Sequence, residues 1–357
     1  MQMSSRHILT VIAAAFLLFA AQAPARADAG RAAAPLGLSS TLTREAALPP
    51  SQSGKTRLRP QPAASANLTY HGGPTMRPFV AIYPIFWDPR SHQLQNGQSC
   101  LIAPNACFAA SFGTVMVQLA AWYQAHGLWA NMTQYGDNQT IAGQTPFIQG
   151  GGGLGAFAID NDNYPPSACS DPATPGNCIT DAQIQAELKA VLNANGWRGA
   201  PAGQPITNLF VLFTANGEGA CIDGTNATCA YRDFCAYHSN LTDATLGSVI
   251  YAVIPYGNTA QCWNGLPSPN GDAQVDATAN QFSAMAAGAV TDPLFTGWYV
   301  AGGGEINDLC AFNFGVPTFV SGNNGATADA NQMWNGALFM VQQEWSNHAG
   351  GCVQVGP

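Results

Sequence analysis

"FVAIYPIFW", residues 79–87, is an unbroken apolar and aromatic run closed by Asp88 and Pro89. Such a run reads as a strand buried on both faces, which belongs in a sheet covered on both sides. Pro84 removes one backbone donor from it and argues against a central position. "NLFVLFTA" (208–215) and "GSVIYAVIPY" (247–256) repeat the pattern, and "ALFMVQQEW" (337–345) reads as a last strand.

Helical spacing lies between the strands. "SFGTVMVQLAAWYQAHGLW" (111–129) carries apolar residues at that spacing, with Ser111 placed as N-cap. "TDAQIQAELKAVLNANGW" (180–197) has Thr180 and Gln183 spaced as a capping box, an apolar face of Ile184, Leu188, Val191 and Leu192, and Asn195-Gly196 at its end. "DATANQFSAMAAGAV" (276–290) is a helix of small residues. The glycines of "GGGGLGAFAID" (150–160) lack the Gly-Lys-Ser/Thr ending of a phosphate loop and read as a crossing close to other backbone. Alternating strands and helices predict an α/β fold, one domain with a mixed β-sheet flanked by helices.

The N-terminus reads as an export signal. Arg6 and His7 precede "ILTVIAAAFLLFAAQA", and Ala25–Ala27 fits a small-residue cleavage site. Residues 1–27 are therefore assigned to a signal peptide, 28–66 to a disordered Ala/Pro-rich leader, and 67–357 to the folded domain. No second apolar run is long enough to span a membrane. From residue 67 onward, five basic residues face 18 acidic ones, a net charge of −13 with histidine neutral. Without a basic patch, nucleic acid and anionic membranes are poor partners.

All ten cysteines follow the leader, an even number that predicts disulfides outside the cytosol. Spacing suggests the pairs Cys100–Cys107, Cys169–Cys178, Cys221–Cys229, Cys235–Cys262 and Cys310–Cys352. No CxxC is present, which argues against a thiolate zinc site or a redox motif.

Catalytic signatures are sparse. No GxSxG marks a nucleophile elbow. Acids gather after the small-residue helix instead: Asp292, Glu305 and Asp308, with no nucleophile or histidine on the helix itself.

Six motifs occur in order: "NLTYHGGPTM" (67–76), "VAIYPIFW" (80–87), "FCAYHS" (234–239), "VTDPLFTGWY" (290–299), "EINDLCAFNFG" (305–315) and "FMVQQEWSN" (339–347). Together they resemble the EXORDIUM-like, or phosphate-induced, family of secreted proteins, which has plant apoplastic and bacterial members. The resemblance covers the chain after the leader. It implies a protein acting extracellularly, at the cell surface or wall, with extracellular glycan or protein as partner.

Many relatives carry a helix resembling H-E-[LI]-A-E just before the Thr-Asp-Pro segment. That pattern looks like a zincin-type metal helix, with Glu305 in the place of a later ligand. Aligned without gaps on Thr291-Asp292-Pro293, the family's ligand and base positions fall on Ala284, Met285 and Gly288. None of these binds a metal or takes a proton, so the resemblance implies a degenerate zincin-like motif and no cofactor. Asp292, Glu305 and Asp308 match. A metal-dependent, peptidase-like hydrolase would need zinc on another ligand set, drawn from His71, His238, Asp292 and Glu305. A third reading is a glycan-binding protein using Trp298. The structural alternative makes Phe282, Met285, Ala286, Ala289 and Val290 a core stripe and leaves the acids to cap turns.

Overall fold

A computed structural model describes residues 44–45, 67–89, 111–140, 143, 145–171, 178–225, 228–257, 262–263, 265–323, 325 and 327–357. The segment assigned above to a signal peptide, all of the assigned leader but Arg44–Glu45, and Cys100 and Cys107 lie outside the described residues.

One seven-stranded sheet organises the domain. Its strands are β1 (Arg44–Glu45), β3 (Met76–Trp87), β4 (Gly153–Leu154), β5 (Ala158–Asp160), β7 (Ile206–Thr214), β9 (Tyr237–Asp243) and β10 (Gly247–Ile254). The order is β1-β9-β10-β7-β3-β4, with β5 continuing beside β4 along β3. β10, β7 and β3 run parallel, whereas β9 and β1 join antiparallel, so the sheet is mixed. Small two-stranded ribbons surround it. They pair β2 (Thr69–Tyr70) with β11 (Trp298–Tyr299), β6 (Cys178–Thr180) with β8 (Gly219–Cys221), β12 (Phe319–Ser321) with β13 (Thr327–Ala330), β14 (Gln332–Trp334) with β15 (Ala337–Phe339), and β16 (Glu344–Ser346) with β17 (Gly351–Val353).

Helices cover both faces of the sheet. They are α1 (Phe112–Trp122), the single turn α2 (Gly127–Ala130), α3 (Asp181–Asn195) and α4 (Ala273–Thr291). Leu209, Val211 and Phe213 of β7, with Ile250, Ala252 and Ile254 of β10, pack in the core that contains α1 and α4. Phe210 and Leu212, with Val249, Tyr251 and Val253, pack with α3. The alternation along each strand is therefore between two apolar layers, which is why these strands read as unbroken apolar runs.

The structure corrects four details of the sequence reading. β3 is interior rather than an edge, with β7 on one side and β4 and β5 on the other. Gly155 N donates to Ile82 O on the β4–β5 side, and alternation puts position 84 on that same side. Pro84 thus faces the interruption between β4 and β5, where no ladder donor is needed. Ser111 makes no side-chain cap, and the helix it precedes stops at Trp122, breaking into a 3-10 turn and α2. α4 starts at Ala273 because Asp272 caps it, its Oδ1 accepting from Gln274 N at 2.9 Å and Val275 N at 3.3 Å. The stretch 337–345 is two short strands, not one, because Asn331 and Asn280 side chains bind the backbone N–H of Val341 and Gln342 between them.

α3 has the capping box of Thr180 and Gln183 and ends on Gly196 at φ 70°. The disulfides Cys169–Cys178, Cys221–Cys229, Cys235–Cys262 and Cys310–Cys352 match the pairing expected from spacing. The glycine crossing is close: a Cβ on Gly152 would stand 2.3 Å from Val80 O.

Candidate functional site

α4 carries no charged residue after Asp276, and every position from Val275 to Thr291 is buried. A helix covered around its whole circumference, mostly by small and apolar side chains, belongs inside a domain. Its C-terminal turn meets β9 at Gly288. A Cβ there would lie 2.6 Å from Asn307 Oδ1, 3.0 Å from Glu305 Oε2 and 3.2 Å from His238 Nε2. Glycine is required because three polar side chains occupy the space that a side chain would use.

His238 reaches this point from β9, opposite Ala252 of β10 and on the α4 face of the sheet. Cys235, three residues earlier, is tied to Cys262. Glu305 arrives from the loop after β11. His238 Nε2 and Glu305 Oε2 are 2.7 Å apart, and each side chain is only 1% exposed. Phe295 covers the imidazole, ring centroids 5.1 Å apart. Asn307 is buried too, and among the described residues its Oδ1 has no hydrogen-bond partner.

The other acids serve the backbone. Asp292 Oδ1 accepts from Gly297 N at 2.6 Å, closing the turn after α4. Asp308 Oδ2 accepts from Glu305 N at 3.0 Å and so fixes the loop that delivers Glu305. The structure therefore brings His238, Glu305 and Gly288 together, with Asp308 one bond away. Ala284 and Met285 are core residues, and of the two the structural alternative had placed Met285 there.

His71 and Trp298 are elsewhere. His71 is exposed, stacked on Tyr299 at 3.5 Å, and hydrogen-bonded to Thr69 Oγ1 at 2.9 Å. Trp298 donates its Nε1 hydrogen to Gly136 O at 2.6 Å and packs between Tyr70 and Tyr135. Of His71, His238, Asp292, Glu305, Asp308 and Trp298, the structure joins His238 to Glu305 and Glu305 to Asp308, while His71 and Trp298 hold their own contacts on the β2–β11 side. Trp334 and Trp345 are buried.

Zinc does not fit the His238–Glu305 pair. The two groups close on each other, and among the described residues no third His, Cys, Asp or Glu ligand atom completes a set within 4.8 Å. Two other groups meet that spacing. Cys169, Cys178 and Cys221 are already in disulfides, and Asp160, Asp162 and Glu187 are an acidic cluster that is not deeply buried.

Several buried acids escaped the sequence reading, among them Asp137, Asp181, Glu218, Asp276 and Glu344. Glu344, in "FMVQQEWSN", is fully buried, and neither carboxylate oxygen has a hydrogen-bond partner among the described residues. Burial, then the nearby Asp308 charge, hold its carboxyl well above the usual carboxylate range. A lone Glu inside an apolar run was the available signal.

Fold and site together define a disulfide-stapled mixed α/β protein with a sealed histidine–glutamate pair beneath a glycine of its buried helix. The chain is similar to Protein EXORDIUM-like 3 of Arabidopsis thaliana, 23% identical over 316 residues, which span 80% of this chain and 82% of that relative. The likeness supports membership of the EXORDIUM-like family, as the ordered motifs implied. No protein-family profile matches the chain. No solved structure matches it.

Proposed function

We propose that this is an extracellular EXORDIUM-like protein that acts at the cell surface or wall by binding, without catalysis at the α4–Glu305 region. The observation that carries the reading is the His238–Glu305 contact under Gly288. A metal-bound water or a general base needs access to substrate, and these groups are 1% exposed. They also fill the room that the family-like helix carboxylate would need at position 288.

The disulfides and the EXORDIUM-like relative are compatible with export, and no helix among the described residues is long and apolar enough to cross a membrane. The competing hydrolase reading draws its ligands from His71, His238, Asp292 and Glu305; of these, His238 and Glu305 bond each other and Asp292 bonds Gly297 N, which favours the non-catalytic reading. Elemental mass spectrometry on exported, untagged protein tests the proposal. Metal far below one ion per chain supports it, and one zinc per chain overturns it.

A further inference from the structure

A groove of about 510 Å³ lies between one face of α1, the β14–β15 hairpin and the segments around Asn270 and Asn323. Its volume is within the range of roughly 300–1,000 Å³ usual for small-ligand sites. Helical periodicity builds one wall: Thr114, Gln118 and Trp122 follow at intervals of four. The hairpin builds the other. Asn335 and Gly336, with φ 49° and 87°, form its two-residue turn and are exposed at the groove.

The lining chemistry is unusual for so acidic a chain. Among the described residues no Asp, Glu, Lys, Arg or His lines the groove, and its polar side chains there are amides and hydroxyls. The floor is held in place. Asn323 Nδ2 donates to Asn270 Oδ1 at 2.7 Å, and Asn323 Oδ1 accepts from Leu338 N at 2.9 Å. Asn270 in turn donates to the buried Asp276 carboxylate at 2.5 Å. Trp122 packs partly on the core and presents the remainder of its surface to the groove.

We propose that this groove binds a neutral oligosaccharide. Sugar hydroxyls both donate and accept, and the amides of Gln118 and Asn335 with the hydroxyls of Ser111 and Thr114 match both roles. An indole offers an apolar face to the C–H side of a pyranose ring. With no cation among the described lining residues, nothing there favours phosphates or uronates over a neutral sugar. The site shares no lining residue with the His238–Glu305 pair and differs from the Trp298 position expected from sequence. The proposal goes beyond the non-catalytic reading by naming what is bound.

Affinity electrophoresis of the full exported chain tests it. Gels would contain hydroxyethylcellulose, xyloglucan, galactomannan or, as the charged control, polygalacturonate. At least one neutral polysaccharide should retard the wild type, and Trp122→Ala should weaken that retardation tenfold or more. The double variant Thr114→Ala, Gln118→Ala keeps good helix formers on a solvent-facing wall and should weaken it severalfold without loss of fold. No retardation by any neutral polymer, retardation by polygalacturonate alone, or retardation unchanged in both variants would overturn the proposal. These outcomes do not bear on the metal content, which decides the non-catalytic reading separately.

Discussion

Gly288 and Glu305 stand so close that a methyl group on the glycine would sit 3.0 Å from the carboxylate oxygen. Gly288→Ala therefore sets two effects against each other. Alanine is better than glycine in a helix interior by about 1 kcal/mol. Overpacking a buried site costs about 1–3 kcal/mol, and here the obstacles are the buried polar atoms of Asn307, Glu305 and His238. The clash wins, and the thermal midpoint should fall. A rise in the midpoint would mean that the three side chains can retreat.

Glu305→Ala should be more damaging than Glu305→Gln. Removing the carboxylate deprives the buried His238 Nε2 of its 2.7 Å contact, which costs about 1–3 kcal/mol. Glutamine keeps a polar partner for His238 Nε2 at the same reach. Urea unfolding of the two variants gives the comparison, and equal midpoints would show that the contact contributes little.

Glu344→Gln should act through pH. The folded-state pKa of Glu344 is raised, so the native chain holds its proton after the unfolded chain has released it. Its contribution to stability is complete below the unfolded value of about 4.5 and declines as pH rises toward the folded value. Glutamine cannot ionise. The variant should gain on the wild type between pH 5 and 8 and lose that advantage near pH 4. Thermal midpoints across that range decide it.

Asp276 carries the same sign over a narrower window. Burial pushes its carboxyl up to about 6, against the bonds from Ser268 and Asn270 that pull it down. Its stabilising contribution is therefore lost between about pH 4 and pH 6. Asp276→Asn should flatten that part of the stability curve, and an unchanged slope would show that the carboxylate is already ionised below pH 4.

The Cys310–Cys352 bridge closes a segment with a sequence separation of 42. Chain-entropy arguments give about 4 kcal/mol for a loop of that length. The double variant Cys310→Ser, Cys352→Ser should unfold at correspondingly lower urea, by an amount that the equilibrium curve reads directly.

Much of the fold was legible because the sheet is buried on both faces: the runs at 79–87, 208–215 and 247–256 admit no other reading. Thr180 and Gln183 announced the start of α3 through local hydrogen bonding alone. Local rules failed where tertiary contacts override them. Pro84 was misplaced because the interruption between β4 and β5 depends on a strand 70 residues away. The site was half legible. Glu305 and His238 were singled out, but their contact spans 67 residues and no spacing rule predicts it. Glu344 was missed because burial of a lone acid is a property of packing.

The side of β3 away from β7 has a consequence for how the chain meets copies of itself. A long bare strand there would invite the same edge of a second molecule to pair with it. Instead β4 and β5 cover it in lengths of two and three residues, with Pro84 at the seam. Strands so short, broken in the middle, offer a poor template for intermolecular growth. The proline that obscures this strand in the sequence also helps keep the chain from aggregating.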